Sequence, residues 1–335
     1  MTRLSQVPAS ASPTHLMLIG DTKVGKSTFI AQAAVDGHTV IYVDSDNGIS
    51  AIRNLIPEGH EARDRILYYR TDSPWKFIHD MLTLGVFRWN LTKDAPYVSS
   101  SGSPTDEVVE IYPARLPKTL ILAIDSWTSV AFDAMEVGAK ERNKTLLTMK
   151  DDSQGVYGEA SLRLNLLCAI LQHAPFHVIC LAHPTLYEMY TKPKGRAGDI
   201  KQKDMILTGS VQIPVSSTRP HGHTMGKYFT DIGWLEINTM GKRIIDFTAH
   251  PGRISGGTVT KEGPVNELTF SKLFASPVET EISDSWIKYY THEEFLAARA
   301  AKNPPAPSPA GVKASGEIAK TPANPTVTAL MSKAK

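Results

Sequence analysis

The sequence predicts an α/β fold: a mainly parallel sheet flanked by helices, followed by an antiparallel hairpin. Three observations carry that expectation. Short apolar runs at 15–19, 39–43, 65–69, 119–124 and 177–182 read as buried strands rather than as half-exposed ones. Helix-compatible stretches separate them, and strands alternating with helices imply a sheet covered on both faces. A glycine-rich turn joins the first strand to the first helix.

Each element follows from its residues. His15 to Ile19 is the first strand, and residues 27–34 have helical composition. Gly37-His38 punctuates the chain before a β-branched second strand at 39–43. Residues 160–173 form a broad apolar helical face between the strands at 119–124 and 177–182. Residues 233–238 and 243–248, separated by a turn at 239–242, read as the hairpin. A terminal helix is expected over 283–302, with Thr291 as a capping residue within it.

The organisation expected is a flexible N-terminus over 1–13, a core over 14–250 with a surface insertion at 90–118, and a C-terminal extension over 251–302. A disordered tail rich in Pro, Ala and Lys occupies 303–335, where the composition cannot build a core. The chain has 335 residues, 41% hydrophobic and 21% charged, which fits a soluble globular protein. Its net charge of +2 hides an asymmetry. Residues 301–335 hold five lysines and one glutamate, so the preceding part is slightly acidic. Two cysteines, Cys168 and Cys180, lie in apolar stretches and read as buried thiols, against a disulfide framework or a cysteine zinc site. Without a signal-like or membrane-spanning run, a cytoplasmic location away from membranes is expected.

The strongest chemical signal is Gly20-Asp21-Thr22-Lys23-Val24-Gly25-Lys26-Ser27, with Thr28 following. It matches the phosphate-binding loop in full, between a strand and a helix. Such a loop wraps phosphates with backbone N–H groups at a helix N-terminus. Its lysine, here Lys26, reaches the β- and γ-phosphates, and its hydroxyl, here Ser27, binds magnesium. Mg-ATP is therefore the expected ligand. A second, acidic partner for the metal is expected at the end of another strand, and Asp125 ends the apolar run at 119–124. Asp44-Ser45-Asp46 ends the second strand, where Asp46, or alternatively Asp44, could activate an attacking water; an Asp-Asn-Gly turn is the plainer reading. His183 follows the strand at 177–182 and could sense the γ-phosphate, or serve only structure.

This order of motifs resembles the RecA/RadA-type ATPase core over about residues 14–250, in particular the small phage ATPases of single-strand annealing and recombination. In that family the motif at the end of the second strand is Asp-x-Glu, whereas here it is Asp44-Ser45-Asp46; His183 stands where glutamine is common. The resemblance implies an ATPase that assembles as a ring or filament on single-stranded DNA, with a single-strand binding protein as a possible partner. It also implies a basic residue acting in trans, for which Arg219, Lys227, Lys242, Arg243 and Arg253 are candidates, and a DNA-binding segment after His183. That segment holds Lys192, Lys194, Arg196, Lys201 and Lys203, with Tyr187 and Tyr190 nearby, a mixture suited to single strands. A solvated basic loop is the plainer reading of the same run. Two other classes stay open: a nucleotide-dependent switch or assembly module, and a small-molecule kinase with a lid drawn from residues 184–230.

Overall fold

The computed structural model describes residues 13–148, 152–191, 206–257, 264–265 and 282–302. The chain divides into two units, Met1–Glu293 and Glu294–Lys335, and every strand among the described residues belongs to the first. In chain order come β1 (His15–Ile19), α1 (Lys26–Val35), β2 (Val40–Asp44), α2 (Ile49–Leu55), β3 (Ile66–Arg70), α3 (Pro74–Thr83), β4 (Phe87–Asn90) and β5 (Ala95–Pro96). Then come β6 (Glu107–Ile111), β7 (Ile121–Asp125), α4 (Trp127–Glu141), α5 (Ser153–Gln172), β8 (His177–Ala182), β9 (Pro184–Thr191) and β10 (Ile206–Pro214). The remainder are α6 (Arg219–Thr224), β11 (Asp231–Ile237), β12 (Arg243–Asp246), β13 (Gly256–Gly257), β14 (Pro264–Val265), β15 (Ile287–Thr291) and α7 (His292–Lys302).

The central sheet has the order β14-β12-β11-β1-β8-β7-β2-β3, with β13 against β11. Every pairing from β11 to β3 is parallel, and β12, β13 and β14 add antiparallel edges. The mixed α/β architecture with a mainly parallel sheet is thus present, and the hairpin of β11 and β12 joins it beside β1. Side-chain alternation explains why the strands are apolar throughout. Leu16, Leu18, Tyr42 and Leu181 face one core with Phe29 and Ile30 of α1. Met17, Ile19, Ile41 and Cys180 face the other with Trp127 of α4 and Leu164 of α5. A strand buried on both faces has no position for a polar side chain except at its ends. Cys168 and Cys180 are buried free thiols whose pKa values are pushed up by burial, to about 12 for Cys168.

Two expectations change. Residues 90–118 are more than a surface insertion: β6 pairs with β4 and β15 in a separate four-stranded antiparallel sheet, and Val108, Val109 and Ile111 are buried. The Ser- and Pro-rich centre of the segment obscures this short apolar strand. The terminal helix begins only at His292, because residues 287–291 form β15. Isoleucine, two tyrosines and threonine suit a pleated surface better than a helix, and β6 supplies the pairing edge. The segment after His183 also gains regular structure, since β9 and β10 form an antiparallel ribbon. Residues 1–12 and the tail at 303–335 lie outside the described residues. No helix among the described residues is long and apolar enough to cross a membrane.

Candidate active site

β1, β8, β7 and β2 run in one direction and end in register. Ile19 lies beside Ala182, Leu181 beside Asp125, and Asp125 beside Asp44. The residues that leave these ends therefore meet at one edge, the ligand edge of open α/β sheets. Between them lies a cleft of about 340 Å³ lined by Thr22, Lys23, Gly25, Lys26, Ser27, Thr28, Asp46, Gly48, Asp125, His183 and Arg243 among others. Residues drawn from four separate motifs of the sequence thus come together.

The loop is shaped for an anion. Gly25 caps α1 in the left-handed region at φ 108°, no side chain caps the helix N-terminus, and its first turn contains no acidic residue. The leading N–H groups of a helix lack intrahelical acceptors and attract negative charge. Lys26 is buried, and its Nζ donates to the Gly20 carbonyl at 2.8 Å and the Asp21 carbonyl at 2.9 Å. Burial lowers its pKa, opposed by Asp125, Asp46 and Asp21. Val24 packs against the core on the α1 side.

Asp125 is buried at the end of β7. Its Oδ2 accepts from the Ser27 hydroxyl at 2.7 Å and from the Tyr42 hydroxyl at 2.5 Å. Burial raises its pKa, the two hydrogen bonds counter that, and Asp44 and Asp46 raise it further. A carboxylate in this state gains from a nearby cation. A Cβ on Gly48 would collide with the Tyr42 hydroxyl, Asp125 Oδ2 and Ser27 Oγ, so only glycine leaves their approach clear. Among the described residues no group of three or more His, Cys, Asp or Glu is gathered to hold a metal alone. Ser27 and Asp125 instead fit a hard divalent ion that takes further ligands from phosphate and water.

The two aspartates after β2 separate cleanly. Asp44 is fully buried and accepts from the backbone N–H groups of Asp46, Gly48 and Ile49 and from the Tyr68 hydroxyl. It fastens the turn into α2 and has no face left for solvent chemistry. Asp46 lines the cleft, with Oδ1 accepting from the Ser129 hydroxyl at 2.5 Å and Oδ2 lying 3.6 Å from His183 Nε2. The other imidazole nitrogen of His183, Nδ1, is 3.5 Å from Lys26 Nζ. The imidazole thus stands between the loop lysine and the exposed carboxylate.

No family model matches the chain, and no curated protein matches it. Among solved structures, a crystal structure of the RadB recombinase is similar. The TM-score is 0.34 at 15% identity, over 76% of this chain and 91% of that one.

Tyr42 and Ser129 belong to the site but carry no motif in the sequence, whereas Gly48 was legible only as the end of an Asp-Asn-Gly turn. Tyr42 reads as one more apolar strand residue, and Ser129 as an ordinary helical serine one turn past the Ser126 cap of α4. The basic candidates part company as well. Arg253 pairs with Glu236 and Asp246, Lys227 lies over the Tyr228 ring, and Arg243 alone of the five lines the cleft. Lys192, Lys194, Arg196, Lys201 and Lys203 lie outside the described residues.

Proposed function

We propose that this chain is a RecA-type ATPase that binds Mg-ATP, hydrolyses it and acts on single-stranded DNA in homologous recombination or strand annealing. The observation that carries the reading is the single cleft in which the phosphate loop, the Ser27–Asp125 pair and Asp46 converge at the carboxyl edge of a parallel sheet. Gly20 to Thr28 cradle the phosphates, Lys26 neutralises charge on the outer ones, and Ser27 with Asp125 hold magnesium. The ion supplies charge stabilisation at the phosphates when bound. Asp46 accepts the proton of the attacking water, kept in position by Ser129, and His183 links that carboxylate to Lys26.

Single-stranded DNA enters the reading through the ribbon of β9 and β10. It leaves the same sheet edge directly after His183 and exposes Leu186, Met189, Tyr190 and Leu207. In the sequence its two strands bracket the basic run from Lys192 to Lys203, and aromatic residues beside positive ones suit a single strand. Assembly as a homo-oligomer on DNA in the cytoplasm completes the proposal, with a phage source and a single-strand binding partner as its narrower form.

ATP turnover measured with and without single-stranded DNA across a salt series tests it. Stimulation that falls with salt, and is lost on neutralising Lys192, Lys194 and Arg196 together while basal turnover persists, is the expected result. Turnover without DNA binding at low salt favours a nucleotide switch or a kinase instead.

A further inference from the structure

The hairpin of β11 and β12 brings Arg243 onto the phosphate loop of its own chain. A Cβ built on Gly25 would stand 2.9 Å from Arg243 Nε, 3.0 Å from Cδ and 3.3 Å from Cζ. The guanidinium thus packs on the backbone of the residue that caps α1, and it lines the cleft. Arg243 opens β12 opposite Ile237, and its side chain is exposed. Among the described residues, no carboxylate or carbonyl holds it, in contrast to Arg253, which two carboxylates hold. All five guanidinium N–H groups can therefore serve a ligand.

Sheet order decides which part of a nucleotide this cation meets. β1 lies between β8 and β11. His183, Asp125 and Asp46 leave β8, β7 and β2, all on one side of β1, whereas Arg243 reaches the loop from the other side. On the nucleotide-binding reading of the cleft, the flank with the water-activating carboxylate would face the terminal phosphate and the opposite flank the inner phosphates.

We propose that Arg243 is a nucleotide-binding residue acting in cis, holding the α- and β-phosphates against the loop at Gly25. The inference rests on the nucleotide-binding reading of the cleft and adds to it. It gives Arg243 a role other than a basic residue reaching into a neighbouring subunit to stabilise transition-state charge. A group that binds inner phosphates holds substrate, product and transition state alike, so its loss raises KM and spares kcat.

The test uses the full chain with magnesium and titrates a fluorescent ADP and a fluorescent non-hydrolysable ATP analogue against wild type, Arg243→Ala, Arg243→Lys and, as a control in the same hairpin turn, the exposed Met240→Ala. Thermal melting of each variant reports folding, and Arg243→Lys keeps the test decisive if the alanine variant is unstable. Arg243→Ala is expected to weaken both ligands about 10- to 100-fold, the range of a charge-assisted contact. Arg243→Lys recovers part of that, Met240→Ala matches wild type, and kcat at saturating ATP stays within about 2-fold of wild type. Unchanged affinities, a loss confined to the triphosphate analogue, or a fall in kcat at unchanged affinity would each overturn the proposal. Failure of wild type to bind either nucleotide defeats the underlying reading as well, and the wild-type titration alone shows it.

Discussion

At the carboxyl edge of the central sheet stand an ammonium, carboxylates and an imidazole within one cleft, whereas the amino edge gathers three histidines: His15 opens β1, His177 opens β8 and His38 precedes β2. The same strands supply both ends. Burial lowers the pKa of His15, His38 and His177, the last to about 4. His177 Nδ1 accepts the Thr14 backbone N–H at 3.0 Å, which needs that nitrogen unprotonated, and its ring meets His38 edge-on at 6.5 Å. His173 adds to the lowering at His15, while Asp36 opposes it at His38. Burial at the amino edge therefore favours the neutral form of these three imidazoles. The carboxyl edge instead keeps Lys26 and Asp125 buried close to each other, an arrangement that suits an incoming charged ligand. Proximity of ionisable groups becomes a site where open helix N–H groups and unlike charges converge, and becomes packing where only like groups meet.

The largest effect expected separates the two edges outright. Asp46→Asn should lower kcat by about 10²- to 10⁴-fold, the usual worth of a general base, with nucleotide affinity retained. If turnover survives unchanged, the role of Asp46 as base is wrong, and Asp44 is poorly placed to take it over.

Next comes acid sensitivity at the amino edge. The three imidazoles bind protons less readily folded than unfolded, so their contribution is intact above about pH 6.5, the ordinary histidine value, and is lost as pH falls toward 4. Melting temperature should drop by several degrees across that window, about the scale of a few kcal/mol for a chain of this size. Asp133 works in the opposite sense: burial raises its pKa to about 6, although the Trp75 and Lys76 N–H groups it accepts counter that. His177→Gln should flatten the pH slope, and an unaltered slope would remove the histidine edge as its source.

Smaller effects probe the support around Asp125 and Asp46. Tyr42→Phe removes one of two donors to a buried carboxylate and should cost about 1–3 kcal/mol in chemical denaturation. The least is expected of Ser129→Ala, which leaves Asp46 in place but less well oriented. A fall in kcat of up to about 10-fold, with KM unchanged, marks such positioning. A change in KM alone would point to binding instead.

The glycine-rich loop between β1 and α1, the acid at the end of β7 and the strands of the central sheet were legible in the sequence because each is written in contiguous residues. Periodicity and glycine placement act over a few positions. The second sheet was not legible. β6 is a five-residue strand behind a Ser-rich stretch, and its partner β15 lies more than 170 residues further on. The ambiguity between Asp44 and Asp46 had the same origin, since two aspartates two residues apart look alike until their hydrogen bonds are known.

The residues alone dictate a strand, a glycine-rich loop matching a phosphate-binding pattern and a helix, set in a doubly covered α/β sheet. Only the tertiary structure decided that Asp44 ties down a turn while Asp46 faces the cleft, that Tyr42 and Ser27 share one oxygen of Asp125, and that Arg243 reaches Gly25 from the far flank. The physical reason is the range of the interactions. Backbone conformation and burial pattern follow from neighbours in the chain, whereas a side chain's reach into a cleft follows from strand order and register, which are settled only when distant segments pair.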